Sequence, residues 1–173
     1  MSSTIDILTV VDAVSVLEAV ANKTLSGDGT SSNPYNLGAN GTSDAYIYMI
    51  TAKEFVVNNQ AKSELTVAAK VGDTVRWMAT CPGGGTSSNI ILTNWQAGSG
   101  DNLINPLSLD LSIKLYVGSA TVPPTAVDYE DYCYAGMVTG EGSVQYVITF
   151  QIIDEDGNSQ GYFLWDPFIN ITN

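Results

Sequence analysis

The chain has 173 residues, a typical length for one domain. Its 18 acidic and six basic residues leave a formal charge of −12, which opposes binding to phosphate backbones and excludes nucleic acid as a partner. Charged residues make up only 14% of the composition, so long solvated helices are disfavoured and strands with turns are favoured.

The N-terminal region predicts one strand followed by one helix. Apolar residues alternate from Ile5 to Val11, as expected for a strand with a buried face. Asp12 can cap a helix and Asn22 can end it. The residues between them that recur at helical spacing are Val14, Leu17, Val20 and Ala21. We expect one short helix that packs against a sheet.

The same region lacks the features of a targeting segment. Residues 1–20 contain no base and are interrupted by Asp6, Asp12 and Glu18, so no signal peptide is predicted. No stretch approaches the roughly 20 apolar residues that span a bilayer, so no membrane insertion is predicted. We therefore expect a cytoplasmic protein, in which Cys81 and Cys133 are free thiols.

The middle of the chain combines a long loop with short strands. Residues 25–43 are rich in Gly, Ser, Asn and Thr, which predicts irregular structure. The segments with strand-like alternation or composition are residues 45–52, 64–71, 74–80, 90–95 and 109–116. Leu109, Leu111 and Ile113 share one face of the last segment, so we predict that they belong to the core.

The C-terminal part predicts further strands after a break at Pro123-Pro124. Over residues 143–152, one face carries Val144, Tyr146, Ile148 and Phe150, which are predicted to complete the core. A hairpin turn is predicted at residues 154–158, with a returning strand at 162–164 and a short final strand at 168–171.

These elements indicate an all-β fold. Roughly nine short strands separated by turn residues are typical of a sandwich or a barrel. We predict a single domain over residues 1–173, folded as an antiparallel β-sandwich of Greek-key or jelly-roll type with one short N-terminal helix.

Histidine is absent, which removes most familiar catalytic and metal sites. Blue-copper sites need two His ligands, and serine- or cysteine-type triads need a general base that is usually His. With 18 acids, some pair of carboxylates meets a glycosidase spacing by chance. No catalytic residues are therefore predicted.

Two groups of residues are candidate binding sites. A sugar site would combine aromatic faces with amide and acid groups, and the candidates are Asn94, Trp95, Asp131, Tyr134, Trp165 and Asp166. The alternative is that these aromatics pack in the core and at strand ends. Calcium ligands are candidates at Asp154, Asp156 and Asn158, and a plain hairpin turn is the alternative. No cofactor other than calcium is predicted.

A third segment, Trp165-Asp166-Pro167, predicts an architectural corner. Pro167 cannot donate to a sheet ladder and biases Asp166 toward an extended conformation. Asp166 can accept hydrogen bonds across the bend, and Trp165 would pack beneath it with its indole N–H seeking a polar partner.

Four stretches resemble the bacterial inclusion-body family typified by AidA and PixA. They are IDIL at 5–8 with VD at 11–12, AYIYMI at 45–50, KVGDTVRW at 70–77 and GYFLWDPFI at 161–169. The resemblance runs from the first strand to the C-terminus. It implies a small cytoplasmic protein without catalytic residues, made in quantity late in growth or under quorum control by bacteria associated with invertebrate hosts. The four methionines depart from the Met-rich composition of PixA, so methionine storage is not implied.

The leading functional hypothesis is a non-enzymatic protein that self-associates, forms cytoplasmic inclusions and takes part in host interaction. Long antiparallel strands leave sheet edges, so a homodimer is the expected state. The alternative is a carbohydrate-binding module, a lectin that binds host glycans, with or without calcium.

Overall fold

Two β-sheets and one α-helix make up the fold in a computed structural model, which describes residues 2–38, 41–100, 102–119 and 122–172. The helix is α1, Ala13–Ala21, and short 3-10 helices span Thr42–Ala45 and Lys53–Phe55. The strands are β1 Thr4–Val11, β2 Tyr35–Asn36, β3 Ile47–Ile50, β4 Val56–Asn58, β5 Thr66–Lys70, β6 Thr74–Thr80, β7 Ser88–Ser99, β8 Leu107–Ser119, β9 Val122–Met137, β10 Gly142–Asp154, β11 Ser159–Trp165 and β12 Phe168–Thr172. The all-β class with one short N-terminal helix is confirmed.

Both sheets contain parallel as well as antiparallel neighbours. The first sheet has the order β3-β1-β6-β9-β8. The second has the order β2-β11-β10-β12-β5-β4, and β7 also pairs with β10. The parallel pairs are β1 with β6, β2 with β11 and β5 with β12. Alternation in a sequence marks the buried face of a strand but not its direction, so these parallel pairs could not be predicted.

The core lies between the inner faces of the two sheets. The predicted β10 residues Val144, Tyr146, Ile148 and Phe150 are fully buried, which confirms that part of the predicted core. Across the core, Trp77 of β6 donates its indole N–H to the Tyr146 hydroxyl at 3.0 Å. This hydrogen bond satisfies two buried polar groups and ties the first sheet to the second.

The helix forms where predicted, and Leu17 and Val20 pack against the core as expected. Asp12 caps it by accepting hydrogen bonds from the Ser15 backbone N–H at 3.1 Å and the Ser15 hydroxyl at 2.8 Å. The buried residues are Ala13, Val16 and Ala19. Val14, which was predicted to pack against the sheet, is 68% exposed.

The β8 part of the predicted core is wrong. Leu109 is 46% exposed, Ile113 is 36% exposed and Leu111 is only half-buried. The reason is that β8 pairs with β9 along its length, whereas β6 pairs with β9 only at residues 134–137. Beyond that short pairing, β8 and β9 leave the first sheet as a two-stranded projection, the β8–β9 arm (residues 107–119 and 122–133).

Pro123 and Pro124 were predicted to break the chain, but both lie within β9. They follow Val122, close to a register shift between Val117 and Ser119 of the partner strand. A two-stranded arm has free outer edges, and a residue at an edge or an irregularity need not donate to a ladder. The arm therefore accommodates both prolines.

Candidate functional site

The two tryptophans of the predicted sugar site lie in the core. Trp165 is fully buried, and its indole N–H donates to the Met49 sulfur at 3.4 Å. Trp95 is 8% exposed and stacks on Tyr146 with ring centroids 5.3 Å apart. Neither indole presents an open ring face, so the sugar site lacks the aromatic platforms on which its prediction depended.

The polar members of that group lie on different elements. Asn94 is exposed on β7, whereas Asp131 is half-buried on β9 and accepts a hydrogen bond from the Tyr132 N–H at 2.8 Å. Tyr134 donates its hydroxyl to the Thr93 carbonyl at 2.8 Å. Burial raises the pKa of Tyr134 to about 12, with a further contribution from its neighbour Tyr132, so the hydroxyl stays neutral. Tyr134 thus connects β9 to β7.

Asp166 lies at the junction of β11 and β12, both of which pair with β10. Its carboxylate accepts a hydrogen bond from the Gln145 side-chain amide at 3.1 Å, and the Pro167 carbonyl accepts from the Tyr146 N–H at 3.1 Å. Desolvation raises the pKa of Asp166, the Gln145 hydrogen bond lowers it and Glu64 raises it, with a net increase. This arrangement matches the geometry expected for a corner between two strands.

The predicted calcium residues form the turn between β10 and β11. Asp154 accepts hydrogen bonds from the backbone N–H groups of Asp156 and Asn158 at 3.0 and 2.8 Å. It also accepts from the side-chain amides of Asn158 and Gln160 at 3.2 and 2.8 Å. The Asn158 N–H is the largest of the influences that lower the pKa of Asp154. Both carboxylate oxygens are therefore engaged by the hairpin itself.

An acidic cleft of about 490 Å³ lies between β7 and the base of the β8–β9 arm. Its lining includes Asp110, Glu130, Asp131 and Tyr132 from the arm and Ile90 from β7. Three carboxylates would repel anionic ligands and attract cationic or hydroxyl-rich ones. Asp131 is the one residue of the predicted sugar group that lines this cleft. Sequence reasoning missed the cleft because the apolar face of β8, one of the two strands of the arm, was assigned to the core.

The arm has one apolar and one polar face. Residues directly opposite each other in a sheet share a face, and the pairs Leu109–Cys133, Ile113–Tyr129 and Leu115–Val127 form the apolar face. The opposite face contains the pairs Ser108–Tyr134, Ser112–Glu130 and Lys114–Asp128. Tyr134 donates to Thr93 of β7, so at the base of the arm the polar face is turned toward the second sheet and the apolar face is turned away from it. The acidic cleft lies along the edge of β9, since residues 129–132, which alternate between the two faces, all line it.

Cys133 lies on this outward face near the base of the arm and is fully buried. Burial raises the pKa of its thiol, although Arg76 opposes this effect. Arg76 itself forms a salt bridge with Asp6, with Nε 2.6 Å from the carboxylate. Cys81 is also a buried free thiol. A buried thiol with a raised pKa is a poor nucleophile because little thiolate forms.

Among the described residues, no group of three or more acidic, His or Cys side chains is arranged to hold a metal ion. Within the same residues, none of the helices has the length and apolar character needed to cross a membrane.

Comparison with known proteins supplies a sequence family and a fold. The family model described as PixA, inclusion body protein, matches residues 3–171. The crystal structure of a PixA inclusion body protein from Burkholderia cenocepacia superposes with a TM-score of 0.76 at 18% identity, and the match covers 99% of this chain and 97% of that chain. At this identity, the structural match supports the fold alone.

A weaker structural match is the cysteine protease inhibitor EhICP2 from Entamoeba histolytica, with a TM-score of 0.34 at 13% identity. It covers 62% of this chain and 86% of that chain, and its TM-score is too low to carry an argument. No curated protein matches this sequence.

Proposed function

We propose, because this chain belongs to the PixA inclusion body protein family, that it is a non-enzymatic protein whose copies self-associate and accumulate in inclusions. The observation that carries this proposal is the β8–β9 arm, which holds a largely apolar face in solvent, with Asp131 as its one charged residue. Monomeric proteins rarely expose large contiguous apolar patches, and such patches commonly mark interaction sites.

The non-enzymatic part of the proposal rests on the side chains available for chemistry. The chain has no histidine, and burial favours the neutral thiol of Cys133 over the nucleophilic thiolate. The described lining of the acidic cleft contains carboxylates and the side chains of Tyr129 and Tyr132, but neither His nor Cys. Binding and assembly therefore account for the surface better than catalysis does.

Self-association is tested with the purified full chain over a wide concentration range. Sedimentation velocity should show a concentration-dependent shift from monomer to dimer or larger species. Strong production in bacteria should also yield dense intracellular particles that contain the protein. A single monomeric species at every concentration would contradict the proposal.

Sugar binding is a second candidate, and the observation that favours it is the placement of Asp131 in the acidic cleft beside Asp110, Glu130 and Tyr132. Carboxylates can accept hydrogen bonds from sugar hydroxyls, and recognition of host glycans would account for a role in host interaction. A glycan array probed with and without calcium tests this candidate. Binding that disappears on chelation would also favour the calcium hypothesis for Asp154, Asp156 and Asn158.

A further inference from the structure

We propose that the outward apolar face of the β8–β9 arm packs against the same face of a second copy of this chain. The proposal rests on the self-association inferred above and names the surface that carries it. The face is defined by Leu109, Ile113, Leu115, Val117, Val127 and Tyr129.

The first argument is the architecture of the arm. Over residues 122–133, β9 has β8 as its partner, and its pairing with β6 is confined to residues 134–137. An isolated two-stranded hairpin is at best marginally stable in water, and independent stability needs a further strand or a packed face. The arm is longer than the body of the first sheet requires, so a partner on its apolar face would supply the missing packing.

The second argument is the size of the exposed surface. The six side chains are 36% to 52% exposed. With about 200 Å² for each large apolar side chain, they present on the order of 500 Å². That value lies near the upper end for the largest patch on a typical monomer, which is about 300–600 Å². Leu107, which is 69% exposed on the same face, extends this surface toward the about 800 Å² that each partner buries in a standard interface.

The third argument is charge, which identifies the occupant as a second copy. Every copy carries a formal charge of −12, so two copies can approach only through a surface that is poor in charge. The cross-strand pairs from Leu107–Ala135 to Val117–Thr125 place one charged residue on the apolar face, Asp131, which lies opposite Leu111 between Leu109 and Ile113. A basic partner would find almost no complementary charge there, and an anionic membrane would be repelled by the molecule as a whole.

The fourth argument is symmetry. An apolar face meeting its own copy is self-complementary, as a twofold interface requires. Two sheet faces pack about 10 Å apart with their side chains interdigitated, so the apolar faces of both arms would be buried in the same contact. The Lys114–Asp128 ion pair, 2.8 Å between Nζ and Oδ1, lies on the opposite face and would stay hydrated.

The test compares two lysine substitutions at adjacent positions of β8. Ile113→Lys places a charge on the apolar face, and Ser112→Lys places the same charge on the polar face opposite Glu130. Each substitution adds one positive charge and so lowers the net negative charge of the protein. Weaker association of Ile113→Lys therefore cannot result from stronger electrostatic repulsion between copies. Both positions are exposed, so both variants should keep the melting temperature of the parent. Leu115→Lys serves as a second variant if Ile113→Lys fails to fold.

Sedimentation equilibrium of the three full-length proteins gives the dimer dissociation constants. We expect Ile113→Lys to raise the dissociation constant at least about tenfold and Ser112→Lys to leave it within about twofold of the parent. If all three proteins associate equally, the arm is not the interface, whereas the proposed self-association stands. If the parent stays monomeric throughout, both proposals fail. A lipid surface would be identified as the occupant instead if the parent is monomeric and binds neutral lipid vesicles, and if Ile113→Lys abolishes this binding while Ser112→Lys does not.

Discussion

Trp165 links the corner at Asp166 to the first sheet, because its indole N–H donates to the sulfur of Met49 on β3. The prediction that Trp165 packs beneath a bend is confirmed, since its ring is fully buried next to Asp166. Its hydrogen-bond partner, the sulfur of Met49, is 116 residues away in the sequence. That partner depends on how the two sheets stack, which no local pattern specifies. For the same reason, the sequence could not show whether Trp95 and Trp165 are buried in the core or exposed at a sugar site.

The corner at Asp166 supports a prediction about stability. Asp166→Ala removes the acceptor for the Gln145 side-chain amide, and we expect the free energy of unfolding at pH 7 to fall by about 1–2 kcal/mol, the scale of a lost cap or side-chain hydrogen bond. Asp166→Asn is the control, because it keeps an acceptor and removes the charge whose desolvation raises the pKa. Urea denaturation measures both. Unchanged stability of the Ala variant, with loss of glycan binding, would make Asp166 a ligand contact.

At the scale of secondary-structure elements, the same alternation of apolar and polar residues occurs in a core strand and in an exposed one. β8 and β10 both alternate apolar and polar residues, and from sequence alone both predict a half-buried strand. β10 lies inside the second sheet between β7 and the β11–β12 segment, so its apolar face meets the core. β8 is the last strand of the first sheet, and within the described part of the chain its strand partner is β9. Periodicity reports that a face is apolar, but not what covers it, so the strands were predictable and the arm was not.

The contrast between β10 and β8 can be measured directly. Phe150 is fully buried between Phe163 and Trp165, with ring centroids 5.4 and 5.5 Å away. Phe150→Ala should therefore lower the free energy of unfolding by about 3–5 kcal/mol through lost burial and a new cavity. Leu109→Ala, on the exposed arm face, should cost under about 1 kcal/mol at concentrations where the protein is monomeric. Equal losses in thermal or urea unfolding would mean that the arm packs within the monomer.

The hairpin between β10 and β11 supports a prediction about pH. The hydrogen bonds that Asp154 accepts, led by the Asn158 backbone N–H, lower its pKa below the usual 3.8. A lowered pKa in the folded state means that the stabilisation is present above the unfolded value and is lost as the pH falls through the folded value. An NMR titration of the Asp154 carboxyl carbon should therefore give a midpoint below 3.8.

A midpoint for Asp154 at or above 3.8 would contradict the hydrogen-bonded turn. The calcium hypothesis adds a distinct expectation, namely a saturable further fall of the Asp154 midpoint when Ca²⁺ is added, since a bound cation favours the ionised carboxylate.

At the scale of the whole molecule, net charge and exposed apolar surface have opposite effects on association between copies. The charge of −12 keeps copies apart, while the apolar face of the arm favours contact between them. The composition predicts the repulsion, and the family resemblance predicts accumulation. Only the structure separates the two properties in space, because all the charged residues of the arm except Asp131 lie on the face opposite the apolar one. Conditions that weaken the repulsion should therefore shift the balance toward assembly.

Salt dependence follows from this balance and distinguishes apolar from ionic association. Raising NaCl from about 20 mM to about 300 mM shortens the screening length from about 20 Å to about 6 Å, so repulsion between copies weakens while apolar contact persists. We expect the dimer dissociation constant to fall several-fold over this range.

Lowering the pH from 7 to about 5, toward the isoelectric point of about 4.1, should also lower the dimer dissociation constant. That range stays above 3.8, so the stabilisation linked to the lowered pKa of Asp154 is retained. Sedimentation equilibrium measures both series, with Ser112→Lys as a control that should associate at least as tightly as the parent at low salt. Dissociation of the dimer by salt would mean that ion pairs hold the copies together, and the apolar arm could not then be the main contact.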